Sequence, residues 1–513
     1  MNEIESGACS PPAASVRAKS FFADRSSSRR VAIVCSALAA AVVAAAAVTL
    51  HPVALAAAAA LAGCAGALFI FRHPAILLWS LILTAPLTDY LGLYIGKTIV
   101  RPYEPLALLG VFWIVWQFLS RSQSVLRGTV VYYRGTLLIL ALYFMSKLLT
   151  VYVLTVLPPN MTKYFVLRFI VLAALQMAAA FVCAGFISSL EQLQKILRVW
   201  VHVANAICLL ALVQVVVSNV TPYNFVWDKD LSPLGRPYSV FREPDVLGCF
   251  YVSFLMLIFP LLVSKATFIN RTYLWLSFAF NTLFFLLVVV RAAWIAGVIC
   301  LMLYAILTAM TGRLKALMPY VNGAFALLMF AVLGLAMAAP KAIEKLSERL
   351  STVAHPDSDS ATAYRLMELK AQSEMAFHPQ PANGGQMAVA LGYGDFSWTH
   401  WRRVTCDPDN FRNVPKDLAT DGFCMGLSVQ FNNGLAGLAL CGAFYLALTL
   451  NFLRVLKRAK DAQQQALLSG SYLSVLAMLI CFQFSNDPLF LCLWIVLGFH
   501  LAAVYHIDKL ESA

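Results

Sequence analysis

Four arginines in different parts of the chain could together bind a phosphate or diphosphate group. Arg168 lies about one turn into an apolar segment, and Arg242 stands just before another. Arg291 separates two apolar segments, and Arg365 belongs to a long polar stretch. The guanidinium group keeps its charge and presents a planar fork that grips phosphate oxygens in pairs. Arg236, in the same segment as Arg242, is a further candidate. The alternative for such arginines is that each only extends from a helix end to the lipid headgroups.

Two side chains could act as a general base. Asp421 stands immediately before an apolar segment, and His400 lies in an aromatic-rich part of the polar stretch. A carboxylate or an imidazole can accept the proton of a sugar hydroxyl as that hydroxyl attacks. Asp421 could instead cap the helix that follows it, which would also hold the carboxylate rigidly. His400 could instead be an ordinary loop histidine between aromatic neighbours.

Lys147 and Tyr393 complete the set of candidate binding residues. Lys147 lies inside an apolar segment, where a charge is costly, so it either binds substrate or pairs with Asp89 or Glu104. Tyr393 belongs to a Gly392-Tyr393-Gly394 turn at the start of the aromatic-rich part. Its ring could stack on a sugar, or it could belong to an interfacial belt of aromatic residues.

The composition indicates which elements must position these residues. Of the 513 residues, 61% are hydrophobic and 12% are charged, whereas soluble domains carry about 25% charged residues. We therefore expect an all-α polytopic integral membrane protein. Apolar runs of roughly 17–25 residues each predict one transmembrane helix. The chain contains about fourteen such runs (12–14 allowing for blurred boundaries): 31–50, 53–71, 75–94, 103–120, 135–157, 164–187, 197–219, 247–264, 272–290, 292–311, 320–339, 423–453, 469–484 and 488–506.

The spans divide the chain into five parts. Within the large polar loop, the sequence predicts a helix over 361–377, ended by Pro379 and Pro381, and then a short apolar run over 387–391. The loop would cover the membrane part as a lid. The five parts are a disordered tail at 1–30, spans at 31–339 with a polar loop near 220–246, the large loop at 340–422, further spans at 423–506, and a tail at 507–513.

The distribution of charge predicts the orientation. The net charge is +13, and most lysines and arginines fall in short loops on one side of the predicted spans. The positive-inside rule places that side in the cytoplasm, with both termini, and leaves the loops at 220–246 and 340–422 in the periplasm of a bacterial inner membrane. The charge then reflects topology, so no nucleic-acid partner is expected.

The cysteines and the motifs exclude several kinds of chemistry. Most of the twelve cysteines lie in apolar segments, where cysteine behaves as a small hydrophobe. Only Cys406 and Cys424 lie in or beside the large loop, and either a disulfide or two free thiols is consistent with the sequence. The chain has no metal-ligand spacing and no glycine-rich phosphate loop. No metal, cofactor or ATP hydrolysis is therefore expected.

Several short motifs, in chain order over about 160–455, together resemble those of the O-antigen ligases and the O-antigen and exopolysaccharide polymerases. In the ligases a His-Asn pair precedes a Gly-x-x-Gly step, whereas this chain has Asp421-Gly422 there, which resembles the polymerase branch. The motifs are Arg236 to Gly248 with Arg242, Arg291-Ala-Ala-Trp294, Ser360 to Arg365, Gly392-Tyr-Gly394, Thr420 to Phe423, and Asn433-Gly434-Leu-Ala-Gly437.

This resemblance implies a GT-C-like membrane glycosyltransferase with inverting, metal-independent chemistry. The donor would be a glycan on undecaprenyl diphosphate, with Arg242 and Arg291 on the diphosphate and Arg168 and Arg365 in support. Asp421 would be the base, with His400 as the alternative. The acceptor would be a sugar hydroxyl, of a growing glycan for a polymerase or of the lipid A core for a ligase. Membrane lipids and other polysaccharide export proteins are the further partners.

A transporter or flippase of lipid-linked glycans is the alternative from another class. It predicts internal repeats and helices broken near the middle of the membrane, and the sequence shows neither clearly. The large polar loop is also more typical of an enzyme.

Overall fold

A computed structural model describes a large part of the chain: residues 74–87, 93–95, 98–100, 103–119, 125–153, 163–221, 223, 225–226, 235–241, 243–315, 317–320, 322–323, 326, 329, 333, 360–378, 385–395, 398, 424–484 and 491–512. The elements below belong to the compact unit over Ala75–Ala513, apart from the first residue of the first helix. The tail predicted at 1–30 and the spans predicted at 31–50 and 53–71 lie outside these residues, as does most of 320–339.

The described elements are almost all helical. The prediction of a helix within the large polar loop is confirmed, and that helix runs to Phe377 as expected. The helices are α1 Pro74–Thr84, α2 Tyr103–Leu119, α3 Val125–Tyr132, α4 Arg134–Val153, α5 Lys163–Phe186, α6 Leu190–Val220, α7 Pro244–Val263, α8 Arg271–Leu287, α9 Arg291–Met310, α10 Ser360–Phe377, α11 Gly385–Leu391, α12 Met425–Arg458, α13 Ala462–Cys481 and α14 Leu491–Ser512.

Seven helices among the described residues are long and apolar enough to cross a membrane, which makes the chain a polytopic membrane protein. Each coincides with a span expected from the sequence. Three further apolar helices are shorter, at Ala75–Leu87, Glu104–Trp113 and Ile170–Phe186. The seven are Arg134–Val151, Leu190–Val220, Pro244–Val263, Arg291–Met310, Met425–Arg458, Ala462–Cys481 and Leu491–Ser512.

The span predicted over 75–94 is wrong in its second half. Helix α1 ends at Thr84, a 3-10 turn follows over Ala85–Leu87, and strand β1 (Leu93–Ile95) then pairs antiparallel with β2 (Thr98–Val100). Pro86 lacks an N–H and disfavours helical backbone in the residue before it, so the α-helix cannot continue there. The helices confirm the all-α fold class, and this hairpin of two three-residue strands is a local addition to it.

Helices α7 and α14 form the centre of the bundle, since both are buried along their whole span-forming length. Helix α7 packs closely against α13. The hydroxyls of Ser253 and Ser474 lie 2.6 Å apart, and Gly470 lies against the carbonyl of Leu257. Residue numbers increase along α7, from Ser253 to Leu257, while those of the contacted residues on α13 decrease, from Ser474 to Gly470. Helices α7 and α13 are therefore antiparallel.

One end of the bundle collects the cations that the sequence assigns to one side. Arg313 donates to the carbonyl of Lys460 over 3.1 Å. Arg454 and Arg458 pair with Asp508 at 3.4 and 3.0 Å, and the hydroxyl of Tyr132 donates to the same carboxylate over 2.8 Å. We call this the basic end. The segregation of charge expected from the sequence is present in these residues.

The opposite end holds the start of α7, α9 and α12 and the close of α13. Met425 donates its N–H to the carbonyl of Phe482 over 3.0 Å, which brings α12 to the end of α13. The thiol of Cys300 on α9 donates to the carbonyl of Leu473 over 3.7 Å, and Thr308 lies near Gln465. Helix α9 is therefore antiparallel to α13, and Arg291 lies at this end.

Gly470 tests the close packing of α7 and α13. A Cβ at Gly470 would lie 2.5 Å from the carbonyl oxygen of Leu257, so we expect Gly470→Ala to separate the helices and destabilise the protein by about 1–3 kcal/mol. Gly442 on α12 has open space around it, so Gly442→Ala should stabilise its helix by up to about 1 kcal/mol. Thermal unfolding in detergent measures both, and equal shifts would contradict the packing described.

Candidate functional site

The candidate site residues divide into those the structure describes and those it does not. Arg242, His400 and Asp421 lie outside the described residues. Arg168 lies on α5 and Arg365 on α10, at positions where only the backbone is described. The side chains of Arg236, Arg291, Lys147 and Tyr393 are described, and they fall into two groups at the end opposite the basic end.

Arg236 joins three segments in the first group. Its Nε donates to the carbonyl of Val288 over 2.9 Å, and its Nη2 donates to Asp245 Oδ1 over 2.6 Å. The guanidinium is buried, with 8% of the side chain exposed. It therefore ties the segment before α7 to the first turn of α7 and to the α8–α9 connection. These contacts give Arg236 a positioning role, and its contact with substrate stays a prediction.

Gln214 fixes the same segment from the side of α6. Its Oε1 accepts from the N–H of Ser239 over 2.7 Å, and its Nε2 donates to the Ser239 carbonyl over 3.0 Å. The hydroxyl of Ser239 donates to the carbonyl of Ile207 over 2.7 Å. These bonds hold Ser239 at φ 52, a left-handed conformation that is unfavourable for most residues.

Arg291 begins α9 directly after this anchored turn. Only Val288, Val289 and Val290 separate α8 from α9, and Val289 has φ 55. The near absence of a loop expected from the sequence is thus confirmed. Arg291 is partly exposed. Because Arg236 bonds to Val288, the segment that carries Arg242 and the turn that carries Arg291 meet at one end of the bundle.

The second group is a junction between the polar loop and α12. Gly434 interrupts α12 with φ 63 and ψ −168, which deprives the carbonyls before it of their helical donors. Two of these carbonyls accept bonds from the Gly-Tyr-Gly turn instead. Tyr393 N–H donates to Phe431 O over 2.7 Å, and Gly394 N–H donates to Asn432 O over 2.8 Å.

Glycine is required on both sides of this junction. A Cβ on Gly392, which has φ 80, would lie 2.5 Å from the carbonyl oxygen of Asn432. A Cβ on Gly434 would lie 2.5 Å from the backbone nitrogen of Leu391. Two backbones can approach this closely only where neither carries a side chain. Two motifs that the sequence singled out separately therefore form one structure.

Tyr393 and Trp398 pack inside the junction rather than facing a ligand. Tyr393 is 2% exposed and stacks on Phe431, with ring centroids 4.7 Å apart. Its hydroxyl donates to the Met375 carbonyl over 3.3 Å, and burial raises its pKa, so it stays protonated. Trp398 Nε1 donates to Glu368 Oε1 over 2.6 Å. Both the sugar-stacking and the interfacial-belt interpretations of Tyr393 are wrong.

Lys147 pairs with Asp395, which corrects the partners expected from the sequence. Its Nζ lies 2.6 Å from Oδ1 and 2.9 Å from Oδ2 of Asp395. The hydroxyl of Thr150, one turn further along α4, donates to the carbonyl of Leu391 over 2.7 Å. Helix α4 thus holds the polar loop at the residues next to the glycine contact. Asp395 directly follows the Gly-Tyr-Gly turn, and that adjacency was the available signal.

Three amide side chains of α12 were also missed. Gln430, Asn432 and Asn433 are each at most 4% exposed. Within the part of the chain that is described, both amide atoms of Gln430 and the carbonyl oxygens of Asn432 and Asn433 lack a hydrogen-bond partner. Burying such groups costs free energy. All three lie just before Gly434, so their buried amides do not add to the stability of the turn at this break.

Cys424 and the acidic and histidine side chains are the remaining groups that could form a disulfide or bind a metal. Cys424 is a free thiol whose Sγ donates weakly to Gln483 Oε1 over 3.6 Å, so the structure favours the free-thiol alternative. Cys406 lies outside the described residues. Among the residues that are described, no group of three or more His, Cys, Asp or Glu side chains could hold a metal ion.

The Lys147–Asp395 pair predicts a large loss of stability when it is broken. These side chains are 14% and 8% exposed, and removing one partner of a buried pair costs about 3–5 kcal/mol. Asp395→Asn should therefore lower the melting temperature strongly. Asp461→Asn, the same change at an exposed carboxylate that only caps α13, should change the stability little, because asparagine caps a helix as well as aspartate does. The double variant Lys147→Met/Asp395→Leu should recover most of the loss, and equal effects of the two single changes would refute the assignment.

Replacing Gln430 with leucine and replacing Gln214 with leucine should change the stability of the fold in opposite directions. Because its buried amide lacks a partner, Gln430→Leu should stabilise the fold by about 1–3 kcal/mol. Both the nitrogen and the oxygen of the Gln214 amide are hydrogen-bonded, so Gln214→Leu should destabilise the fold by a similar amount. Melting temperatures in one detergent compare the two, and a loss of stability in both variants would mean that Gln430 has a partner.

Comparison with known proteins adds no assignment to this geometry: no protein-family model matches the chain, and neither does any curated protein. Function is therefore inferred from the residues of the site and from the motif resemblance.

Proposed function

We propose that the chain is a membrane glycosyltransferase whose donor is a glycan carried on undecaprenyl diphosphate. The observation that supports this most is the junction at Gly434. The Gly392-Tyr393-Gly394 turn bonds to Phe431 and Asn432 beside the glycine step of α12, so two motifs that resemble those of the polysaccharide polymerases and ligases depend on each other. A chance match of short motifs would not require contact between their backbones.

The arginines supply the electrostatic part of the proposal. Arg236 links the segment that carries Arg242 to the turn that precedes Arg291, so these arginines come from one end of the bundle. There they would bind the diphosphate and stabilise the negative charge that grows on the leaving group. Arg168 and Arg365 would assist, and the diphosphate leaves as the acceptor oxygen attacks the anomeric carbon with inversion.

Asp421 is the proposed base, with His400 as the alternative. Asp421 precedes α12, whose first turn is fixed by the bond from Met425 to Phe482. The carboxylate would accept the proton of the acceptor hydroxyl. The polar loop that carries α10 and α11 would act as a lid held by Lys147 and Thr150 of α4. No metal is used in this scheme.

Polymerisation is favoured over ligation, because Asp421-Gly422 stands where the ligases have a His-Asn pair. The acceptor would then be a sugar hydroxyl of a growing O-antigen or exopolysaccharide chain. The proposal includes a GT-C-like fold with about fourteen spans, a bacterial inner membrane, cytoplasmic termini and the basic end in the cytoplasm. A ligase acting on the lipid A core is the first alternative.

The break in α12 bears on the transporter alternative, which expects broken helices near the membrane midplane. Gly434 lies nine residues from the start of the 34-residue helix, which is about 14 Å at 1.5 Å per residue. Because this is about half of a 30 Å hydrocarbon core, the depth of the break alone does not separate the two functions, and the partners of the freed carbonyls must. The carbonyls freed by the break bond to the polar loop rather than to a central cavity. The break therefore fits a seat for the loop better than a transport path.

Asp421→Asn tests the proposed base. The N-cap of α12 is Cys424 rather than Asp421, which corrects the capping alternative considered from the sequence. Asparagine has nearly the same size and shape as aspartate, so the fold should persist while glycan extension falls by about 10²–10⁴-fold. The assay uses purified protein in nanodiscs with undecaprenyl-diphosphate-linked repeat units, and product length is read by mass spectrometry.

Asp461→Asn is the matched control, since Asp461 caps α13 at the basic end by accepting from Gln464 N–H, and it should extend glycans as the wild type does. Unchanged extension by Asp421→Asn removes Asp421 as the base. No extension by the wild type unless a lipid A core acceptor is present indicates a ligase. Absence of any new glycosidic bond with either acceptor overturns the transferase proposal.

A further inference from the structure

A cavity of about 230 Å³ opens at the basic end, between α7, α9, α12 and α13. It lies at the opposite end of the bundle from the candidate site, so the proposed transfer reaction does not use it. Its volume is below the roughly 300–1,000 Å³ of pockets that enclose drug-sized ligands. A small group, or the polar part of a larger molecule, is the fitting occupant.

The polar side of the cavity is cationic. Lys265 and Arg313 both line it, and none of the described residues that line it is acidic. Arg313 donates to the carbonyl of Lys460 over 3.1 Å, which fixes the direction of its guanidinium. Asp461, just before α13, accepts the N–H of Gln464 and caps that helix. Two cations therefore face the cavity against one nearby carboxylate that is already engaged.

Hydroxyl groups beside the two cations are further hydrogen-bond donors. Thr311 and Ser469 line the cavity, and the hydroxyl of Thr311 can turn between its helical carbonyl and a ligand. Lys265 follows the end of α7 in a left-handed conformation, with φ 57, so its backbone turns away from the helix where its side chain begins. Lysine, arginine and hydroxyl groups are the usual donors to phosphate oxygens.

The apolar side of the cavity distinguishes a lipid from a free ion. Val263, Leu307 and Leu456 line it next to the cations, and all three belong to helices long and apolar enough to cross a membrane. A free phosphate ion gains nothing from this apolar wall, whereas a phospholipid places its phosphate on the cations and its chains along the helices. Basic pockets between transmembrane helices bind anionic headgroups in this way.

We propose that this cavity binds the phosphate of an anionic phospholipid headgroup, with Lys265 and Arg313 as its ligands. Each cation should raise the affinity for an anionic lipid about fivefold, the factor expected for one basic residue at a membrane surface. The site would tie the ends of α7, α9 and α13 together when the lipid is bound.

Lipid binding to delipidated full-length protein tests the proposal. Phosphatidylglycerol is titrated into protein in a neutral detergent, and bound lipid is counted by native mass spectrometry, with phosphatidylcholine as the neutral lipid. K265Q and R313Q should each weaken phosphatidylglycerol binding about fivefold, and the double variant about 25-fold. R313K, which keeps the charge, should bind nearly as the wild type.

Lys315 supplies the matched control, because it is exposed in the same connection as Arg313 and does not line the cavity. K315Q should leave the affinity unchanged. An equal loss in K315Q and R313Q would show diffuse surface attraction and overturn the site, as would wild-type binding by the double variant. Inorganic phosphate that competes at equal concentration would assign the cavity to a free ion and also overturn the lipid proposal. Should R313Q fail to fold, K265Q against K315Q gives the same comparison.

Discussion

The contact between two backbones at Gly392 and Gly434 is the constraint on which the rest of the candidate site depends. The break at Gly434 frees two carbonyls of α12, and the Gly-Tyr-Gly turn supplies their donors at 2.7 and 2.8 Å. Neither partner is complete without the other, since an interrupted helix needs new donors and a tight turn needs acceptors. Everything else at the junction is arranged around this exchange.

The ion pair and the aromatic cluster hold that contact from two sides. Lys147 reaches Asp395 from α4, and Tyr393 stacks on Phe431 from within the polar loop. Because the pair is nearly buried, separating the two side chains would leave the charge of Lys147 uncompensated in an apolar surrounding, which costs free energy. The polar loop is thus fixed in register with α12 and α4 at once. The amide of Gln430 and the side-chain oxygen of Asn433 lack hydrogen-bond partners among the described residues. They stand apart from this pattern, since their burial destabilises the turn that the other contacts stabilise.

The elements were largely predictable from the sequence, and the pairings were not. Hydrophobic runs located the helices well because a span needs only length and apolarity, and Pro379 marked the end of α10. Hydrophobic periodicity and composition do not show which helices are in contact. Acidic residues closer in sequence, such as Glu104, were therefore expected as partners of Lys147 instead of Asp395. Tyr393 was misjudged for a related reason: an aromatic residue beside glycines looks accessible in sequence, and only packing shows that it is covered. The Arg236–Val288 bond likewise joins segments 52 residues apart.

The complete burial of α7 and α14 has a consequence for how such a protein is made. Each helix is apolar enough to enter a bilayer alone, yet in the finished molecule neither keeps a face for lipid. Lipid tails are as apolar as leucine, so exchanging lipid for protein around these helices brings no hydrophobic gain, and only the fit of side chains favours it. The same residues must therefore satisfy two demands in succession, solubility in the membrane at first and complementarity of shape afterwards. Lipid that first surrounds α7 and α14 must be displaced when the neighbouring helices pack against them.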